Sequence, residues 1–293
     1  MPADSIMDAK SASRQLAILM GDPVAHSKSP VIMTAAAKAA GIDLVYVACR
    51  VRDCDLAQAV DAIHALGILG ANVTIPHKQR VIEFLDDLTA AARAVGAVNT
   101  VFRDAEDRLV GDNTDIAGFT APIRERGLAS ALVLGTGGAA RAAAWACLHE
   151  LGMDRVLVTG RTPEKADALV HALSAGREDR VVREIMAIPW EERHAAIASV
   201  ELIVNATPIG MWPEVDASPL DDPACLGAHH LVYDLVYNPA ETRLLREARE
   251  QGARTQGGMD MLIGQAAAAF ERWTGRKMDT LSVRGALSPR EYP

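Results

Sequence analysis

The segment Gly135-Thr136-Gly137-Gly138-Ala139-Ala140 follows an apolar run at residues 131–134 and opens an alanine-rich stretch. The pattern is G-x-G-x-x-A, in the strand, turn and helix context typical of a dinucleotide-binding turn. Gly135 permits the tight turn, Gly137 lets a pyrophosphate approach the backbone, and Ala140 lets the helix pack closely on the strand. The first turn of the helix offers free N–H groups to anionic oxygens. A glycine-rich turn without a ligand is the alternative, but the satisfied context favours nucleotide binding.

The end of the next predicted strand, Thr159-Gly160-Arg161-Thr162, indicates which nucleotide is bound. A site for NAD normally carries an acidic residue there, which accepts a hydrogen bond from the ribose 2′-hydroxyl, and this segment has none. The Arg161 guanidinium can instead hold a 2′-phosphate, and Lys165 adds positive potential one turn later. In the alternative interpretation Arg161 is a solvated surface residue and Thr162 only caps the helix that begins at Pro163. The pattern favours NADP over NAD.

Short apolar runs alternate with helical stretches along the chain, which predicts an α/β fold. Strands are predicted at residues 16–20, 44–51, 70–75, 131–134, 155–159, 181–184, 202–205 and 231–235, and two more lie between residues 96 and 110. Helices are predicted at residues 30–40 with Ser29 as N-cap, and at 56–66, 116–126, 139–151, 163–174, 242–251 and 259–273. In the second half this alternation predicts an open parallel sheet that helices cover on both faces.

The length of 293 residues fits two domains at ~150 residues each. We expect a flexible tail at residues 1–15, a first β/α domain at 16–115 and a doubly wound Rossmann-type domain at 116–257. The segment 258–293 carries one more long helix, and its residues alone leave open which domain that helix packs on.

Composition excludes several classes of protein. The formal charge of −8 and the aromatic content of 4% argue against nucleic-acid binding, which needs a basic surface and stacking rings. The four cysteines show no Cys-x-x-Cys or histidine-paired spacing, so we expect reduced thiols in a cytoplasmic protein and no metal site. No apolar run reaches about 18 residues, so no membrane-spanning helix is expected.

Polar segments of the first domain carry side chains that a plain fold does not need. They are His26-Ser27-Lys28-Ser29-Pro30, Asn72-Val73-Thr74-Ile75-Pro76-His77-Lys78, and Gly96-Ala97-Val98-Asn99-Thr100 followed by Gly111-Asp112-Asn113-Thr114-Asp115. Ser27 and Ser29 lie two residues apart in an extended stretch, so both can hydrogen-bond one carboxylate or hydroxyl, although Ser29 also fits helix capping. The second segment follows a strand, at the edge where open α/β sheets bind ligands.

Lys78 and Asp115 form the charged pair best suited to acid–base chemistry. Hydride transfer to a carbonyl carbon builds negative charge on the oxygen, which a nearby ammonium stabilises and protonates, and an adjacent carboxylate orients that amine. Taken singly, Lys78 fits a surface lysine and Asp115 a helix N-cap. His26 and His77 lack ligand-spaced partners and are interpreted as structural or peripheral. Gln265, inside an apolar helix, is either a capped surface position or a ligand contact.

This combination of motifs closely resembles the shikimate dehydrogenase family. The matches run in family order from residue 21 to residue 265. Besides the polar segments and the glycine turn, they comprise Asn205-Ala206-Thr207-Pro208, Asp234-Leu235-Val236-Tyr237-Asn238-Pro239 and Met261-Leu262-Ile263-Gly264-Gln265. Each motif alone is a weak signal, whereas the ordered series is a strong one.

The resemblance implies an NADP-linked enzyme that interconverts 3-dehydroshikimate and shikimate on the route to chorismate and the aromatic amino acids. It implies that the last helix returns to the first domain and completes the substrate site. Lys78 and Asp115 would be the catalytic pair, and Ser27 and Ser29 would hold the substrate carboxylate. Ring hydroxyls would contact Thr74, Asn99 and Gln265, with Tyr237 nearby. The cofactor would contact Gly135, Gly137, Gly138, Ala139, Arg161, Thr162, Lys165, Asn205, Thr207 and Gly258.

The chain departs from the family pattern at Gly160, where Asn often precedes the Arg-Thr pair, and at Thr136, where Ala is frequent. A quinate or dual quinate/shikimate dehydrogenase is the nearest alternative, because quinate carries one extra hydroxyl on its saturated ring. A non-catalytic nucleotide sensor is the other, and the retention of both Lys78 and Asp115 argues against it. The oligomeric state stays open between a monomer and a homodimer.

Overall fold

Two six-stranded sheets organise the chain in the computed structural model, which describes residues 14–174 and 183–287. The first sheet contains β1 (Gln15–Gly21), β2 (Leu44–Arg50), β3 (Gly70–Val73), β4 (Asp87–Leu88), β5 (Thr100–Arg103) and β6 (Leu109–Asp112). The second contains β7 (Ser130–Leu134), β8 (Arg155–Thr159), β9 (Glu184–Ala187), β10 (Leu202–Asn205), β11 (Leu231–Asp234) and β12 (Arg254–Gln256). The helices are α1 (Ser29–Ala40), α2 (Leu56–Ala65), α3 (Ala90–Val95), α4 (Asp115–Thr120), α5 (Gly138–His149), α6 (Pro163–Ser174), α7 (Arg193–Ile197), α8 (Arg243–Glu250), α9 (Gly258–Thr274) and α10 (Thr280–Ala286).

The second sheet is the doubly wound sheet that the sequence predicts. Its strand order is β12-β11-β10-β7-β8-β9, and its strand pairs are all parallel. The chain enters at β7, runs outward to β9, and then returns to continue on the other side from β10. Open α/β sheets bind ligands outside the carboxyl ends of their strands where the order reverses in this way. The glycine turn that follows β7 lies at this point.

The first sheet is mixed, with the order β2-β1-β3-β5-β6-β4. Strands β1, β2 and β3 run parallel, whereas β5 is antiparallel to both β3 and β6. Strands β5 and β6 confirm the two strands predicted between residues 96 and 110, and a turn at residues 104–107 joins them. The carboxyl ends of β1, β3 and β6 therefore meet the start of β5 at one edge of the sheet. Most polar segments of the sequence analysis follow these strand ends.

The last long helix packs on the first domain, as the resemblance implies. Ile263 and Phe270 of α9 are buried in one apolar cluster with Ile32 of α1. At the end of α9 the Trp273 Nε1 atom donates a hydrogen bond to the Val101 carbonyl of β5, at 3.0 Å. Burying an aliphatic or aromatic side chain of this size contributes about 1.5–3 kcal/mol. The chain thus crosses from the second sheet back to the first after β12.

Several predicted element bounds are wrong. The helix predicted at residues 116–126 ends at Thr120, and a single 3-10 turn follows at Arg124–Arg126, because Pro122 has no N–H with which to continue the helix. The strand predicted at 181–184 is β9 at Glu184–Ala187, and residues 181–182 lie outside the described residues. Gln15 already belongs to β1, while residues 1–13 of the predicted tail also lie outside the description.

The N-cap role predicted for Ser29 is wrong, and Asp115 does not occupy the N-cap position of its alternative interpretation. Helix α1 begins at Ser29 itself, and Lys28 occupies the N-cap position without a side-chain hydrogen bond. The Ser27 hydroxyl oxygen accepts the Ser29 N–H instead, at 3.2 Å. Helix α4 likewise begins at Asp115, with Thr114 at the N-cap position. The Asp115 carboxylate is therefore available for partners other than its own helix.

Candidate active site

A buried ion pair joins Lys78 and Asp115, two residues 37 positions apart in the chain. The Lys78 Nζ atom lies 2.6 Å from Asp115 Oδ2, and the side chains are only 16% and 6% exposed. The other carboxylate oxygen, Oδ1, accepts a hydrogen bond from Asn99 Nδ2 at 2.8 Å. Because both carboxylate oxygens are engaged, the Asp115 carboxylate is held in one orientation, with Oδ2 on the Lys78 ammonium. The structure therefore brings the pair together as an acid–base unit requires, and Lys78 is not a freely solvated surface lysine.

Hydrogen bonds connect the three segments that carry Lys78, Asn99 and Asp115. The Val98 N–H donates to the Lys78 carbonyl at 2.7 Å, which ties the turn after β3 to the approach to β5. The Asn99 Oδ1 atom accepts the Thr114 N–H at 2.7 Å, which ties the start of β5 to the start of α4. Asn99 is only 2% exposed, so these bonds form away from water. In such surroundings an unpaired polar group is costly, and the network fixes the relative positions of the segments.

A second buried network on the same sheet was missed by the sequence analysis. The Tyr46 hydroxyl of β2 donates to Asn72 Oδ1 at 2.7 Å, and Asn72 Nδ2 donates to the Asn99 carbonyl and to Thr100 Oγ1, each at 3.2 Å. Burial raises the pKa of the Tyr46 hydroxyl, and a hydrogen bond with Ser29 opposes this rise. Asn72 stands in a quoted motif, but nothing in the sequence identifies Tyr46 as its partner.

Helices α4 and α9 cross at glycines, and this contact positions Gln265. A Cβ atom at Gly118 would lie 2.5 Å from the Met261 carbonyl oxygen and 2.7 Å from the Gln265 nitrogen. A Cβ atom at Gly264 would lie 2.9 Å from the Gly118 Cα. The helices can approach this closely only because neither position carries a side chain. Gln265 is thereby set beside the helix whose first residue is Asp115, a role for Gly118 that the sequence analysis missed.

Ser27, Ser29 and Thr74 lie at the carboxyl ends of two neighbouring strands. Ser27 and Ser29 follow β1 and Thr74 follows β3, and these strands pair in parallel register with Met20 opposite Val73. Ser29 is buried, whereas Ser27 and Thr74 are half-buried. Thr74 can approach the end of β1 because residue 21 is glycine, whose missing Cβ would overlap the Thr74 methyl group. Ser27, Ser29 and Thr74 thus follow strands that end at the same edge of the sheet, as Lys78 does.

The glycine turn after β7 has the geometry of a phosphate-binding turn. Gly135 has a φ of +121°, a conformation that side chains disfavour, and its N–H donates to the Thr159 carbonyl at 2.8 Å. Gly137 has an ordinary extended backbone at the N-cap position of α5, and a Cβ atom there would meet nothing within 4 Å. Ala140 is fully buried against the sheet. The open space at Gly137 and the free N–H groups of α5 fit a pyrophosphate.

The Lys78–Asp115 ion pair lies next to the glycine turn. A Cβ atom at Gly138 would lie 2.9 Å from Lys78 Cδ, so the lysine stem packs directly on the turn. The His26 ring that follows β1 lies 5.0 Å between centroids from the Trp212 ring, which belongs to the second half of the chain. A nucleotide bound at the turn would therefore lie next to Lys78. His77 is fully buried with Nε2 2.7 Å from the Val51 carbonyl oxygen, in agreement with its structural interpretation.

The side chains predicted to select the nucleotide lie at the end of β8. Arg161, Thr162 and Lys165 are all exposed there. The Thr162 carbonyl accepts the Lys165 N–H at 3.1 Å, so Thr162 also stands at the start of α6. The helix-start and nucleotide interpretations of Thr162 are compatible, since only its backbone carbonyl is used. Two adjacent exposed cations suit an anionic group on the ribose.

Asn205 does not present its side chain to the cleft. It is fully buried, its Nδ2 atom donates to the Ile209 carbonyl and to Asp234 Oδ1, and its Oδ1 atom accepts from Thr207. Burial raises the pKa of Asp234 to about 6, against the lowering effect of hydrogen bonds from Thr242, Val236 and Asn205. Every donor and acceptor of the Asn205 side-chain amide is used within the protein, so the amide positions Thr207, and the expected contact of Asn205 with a cofactor stays a prediction.

Tyr237 and Gly258 flank the end of β11 on the second sheet. Tyr237 is half-buried, and burial raises the pKa of its hydroxyl. Gly258 begins α9 so close to β11 that a Cβ atom there would overlap the Leu235 carbonyl.

A cavity of about 560 Å³ lies beside α4. Arg124 and Trp145 contribute to its lining, whereas Lys78 and Asp115 do not. Within residues 14–174 and 183–287, no three His, Cys, Asp or Glu side chains are grouped to hold a metal ion.

By fold and site the chain is a two-domain dehydrogenase of the Rossmann type. Two family models match it, the shikimate dehydrogenase substrate binding domain at residues 19–101 and the shikimate 5'-dehydrogenase C-terminal domain at residues 258–287. The shikimate dehydrogenase (NADP+) of Salinibacter ruber is 47% identical over 282 residues, which cover 94% of this chain and 98% of that protein. The chain belongs to the shikimate dehydrogenase family.

Solved structures extend this comparison to the whole fold. The crystal structure of a shikimate dehydrogenase in complex with NADP+ superimposes with a TM-score of 0.86 at 37% identity and covers 98% of each chain. The quinate dehydrogenase of Corynebacterium glutamicum in complex with NAD gives a TM-score of 0.83 at 34% identity, over 93% of this chain and 98% of that one. The expected two-domain α/β architecture is confirmed.

Proposed function

We propose that this chain is an NADP-dependent shikimate dehydrogenase, which reversibly reduces the ring carbonyl of 3-dehydroshikimate to give shikimate. In this role it serves chorismate and aromatic amino acid biosynthesis. The observation that carries the proposal is the ion pair between Lys78 and Asp115, 2.6 Å long, with the lysine stem packed on Gly138 of the glycine turn. The name of the Salinibacter ruber relative supports both the substrate and the cofactor.

In this mechanism Lys78 is the general acid. NADPH, when bound, supplies the hydride for the carbonyl carbon, and negative charge develops on the carbonyl oxygen. The Lys78 ammonium stabilises that charge and donates one proton to the oxygen. Asp115 holds the ammonium in place and balances its charge, while Asn99 holds the carboxylate. In the reverse direction the Lys78 amine accepts the proton of the substrate hydroxyl.

The first domain also binds the rest of the substrate. Ser27 and Ser29 donate hydroxyl hydrogen bonds to its carboxylate. The Asn99 Nδ2 amide has two N–H groups and donates one of them to Asp115, so the other can donate to a ring hydroxyl. The remaining hydroxyl contacts are assigned to Thr74, Gln265 and Tyr237.

The second domain binds the cofactor along the carboxyl edge of its sheet. The turn formed by Gly135, Gly137, Gly138 and Ala139 would hold the pyrophosphate, and Arg161, Thr162 and Lys165 would hold the 2′-phosphate. Thr207, which Asn205 positions, and Gly258 would contact the rest of the cofactor. The bounds 16–115 for the substrate domain, 116–257 for the NADP domain and 258–293 for the returning helix stay predictions.

Replacing Gly137 with Ala tests the assignment of the pyrophosphate site. The added methyl group enters open space on a backbone that alanine adopts freely, so we expect the melting temperature to stay within ~1 °C of the parent. The same methyl group would occupy the path of the pyrophosphate, so the Kd for NADP, measured by calorimetric titration, should rise about tenfold or more. An unchanged Kd in a protein of unchanged melting temperature would place the pyrophosphate elsewhere.

Quinate dehydrogenase activity is the second candidate, favoured by the likeness to the Corynebacterium glutamicum enzyme. The discriminating experiment is a spectrophotometric nicotinamide assay that crosses shikimate and quinate with NADP and NAD. We expect shikimate with NADP to give the highest kcat/KM of the four combinations. A higher value for quinate would reassign the substrate, and no turnover with either acid would favour a nucleotide sensor.

The proposal extends to the setting in which the enzyme works. The four cysteines are unpaired, which suits the reducing cytoplasm. None of the helices in the described part of the chain is both long and apolar enough to cross a membrane. We expect a small-molecule substrate and no nucleic-acid partner, with the enzyme acting as a monomer or a homodimer.

A further inference from the structure

The glycine turn and the segment that selects the nucleotide run side by side. Strands β7 and β8 pair in parallel with Leu134 opposite Thr159, and the Gly135 N–H donates to the Thr159 carbonyl at 2.8 Å. Residue 136 of the turn is therefore the neighbour of residue 160, the first residue beyond β8. This is the place where a side chain can influence the ribose of a bound dinucleotide.

A side chain at position 160 would require Thr136 to shift. A Cβ atom at Gly160 would lie 2.8 Å from the Thr136 Cγ2 methyl carbon, whereas the Thr136 Oγ1 and Cβ atoms are 3.7 and 3.8 Å away. Gly160 is not among the glycines with positive φ, so its backbone conformation does not itself require glycine. The restriction therefore comes from one methyl group, which a serine in place of Thr136 would lack.

The same restriction affects the choice between NAD and NADP. An acidic side chain beyond the second strand of such a domain accepts a hydrogen bond from the ribose 2′-hydroxyl of NAD and repels a 2′-phosphate. The exposed charged side chains that follow position 160 are the cations Arg161 and Lys165 and the anion Glu164, and Arg161 is directly adjacent to it in sequence. Specificity commonly combines a favourable contact with the intended ligand and an obstacle to its competitor.

We propose that the Thr136 methyl group on the pyrophosphate turn disfavours a side chain at position 160, and with it a carboxylate that would bind the ribose of NAD. Arg161 attracts the 2′-phosphate, and Thr136 opposes the placement of a competing acidic group beside it. The inference rests on the proposed NADP function and assigns to it a residue outside the 2′-phosphate site. The contact between Thr136 and Gly160 also explains why the chain departs from the family pattern at both of these positions.

The steric part of the proposal can be tested without any cofactor. Melting temperatures are measured for the parent, Gly160→Ala, Thr136→Ser and the double variant. We expect Gly160→Ala to lower the melting temperature in the parent, since the added methyl overlaps a neighbour, and to do so much less in the Thr136→Ser background. Equal effects of Gly160→Ala in both backgrounds would overturn the contact as the cause.

The specificity part is tested by installing the excluded carboxylate. Kd values for NAD and NADP are measured by calorimetric titration for Gly160→Asp alone and for Gly160→Asp combined with Thr136→Ser. We expect the double variant to bind NAD about tenfold more tightly than Gly160→Asp alone, and kcat/KM with NAD to follow. Equal NAD affinity in the two proteins would overturn the proposal, whereas failure of the parent to bind NADP would overturn the proposed function instead.

Discussion

Replacing Lys78 with Met lowers kcat by a factor of ~100 or more, with a much smaller change in the KM for shikimate. Methionine keeps most of the apolar stem that packs on Gly138 but removes the ammonium that protonates the carbonyl oxygen. Because the proton is transferred only in the transition state, its loss affects turnover more than ground-state binding. Steady-state kinetics in both directions, with the Kd for NADP measured in parallel, check this expectation.

The same substitution leaves the Asp115 carboxylate, which is 6% exposed, without its cation. An unpaired buried charge is strongly destabilising, so the melting temperature of Lys78→Met should also fall. Adding Asp115→Asn removes that charge, so the double variant should regain stability without regaining turnover. Recovery of turnover together with stability would mean that Lys78 supports the fold and does not donate the proton.

Much of the fold was predictable because its signals are local. The alternation of apolar runs and helical stretches predicts the open parallel sheet, and the parallel strands, the glycine turn after β7 and helix α5 are all present. The wrong bounds have local causes as well. Helix α4 stops before Pro122, whose effect was overlooked, and α1 begins at Ser29 because the Ser27 hydroxyl satisfies the first N–H.

The charged residues of the site were predictable from the sequence, but the contacts that hold them in place were not. Lys78 and Asp115 are charged residues in polar motifs, which the sequence displays directly. The helix crossing at Gly118 and the hydrogen bond from Tyr46 are contacts between distant segments, and one sequence carries no signal for such pairing. Asn205 is the reverse case. Its motif predicts a contact with the cofactor, whereas its side-chain amide makes hydrogen bonds within the protein and positions Thr207.

Replacing Arg161 with Ala should weaken NADP binding by a factor of ~30–100 and leave NAD binding within about twofold. A guanidinium can form forked, charge-assisted hydrogen bonds with a phosphate, and the loss of a contact of this kind costs ~2–3 kcal/mol. NAD carries a hydroxyl where NADP carries the phosphate, so it loses no such contact. Calorimetric titration of both nucleotides checks the expected change in their affinity ratio.

Because Arg161 is exposed, the salt dependence of nucleotide binding provides a second test of its role. Charge attraction at a solvated site is screened by salt, so the NADP preference of the parent should decline as ionic strength rises, and that of Arg161→Ala should vary less. Lys165→Ala serves as the matched control, because it removes one exposed charge a turn away without removing the fork, and its effect on NADP should be several-fold smaller. Equal losses for NAD and NADP in Arg161→Ala would refute the 2′-phosphate assignment and leave Arg161 as a solvated surface residue.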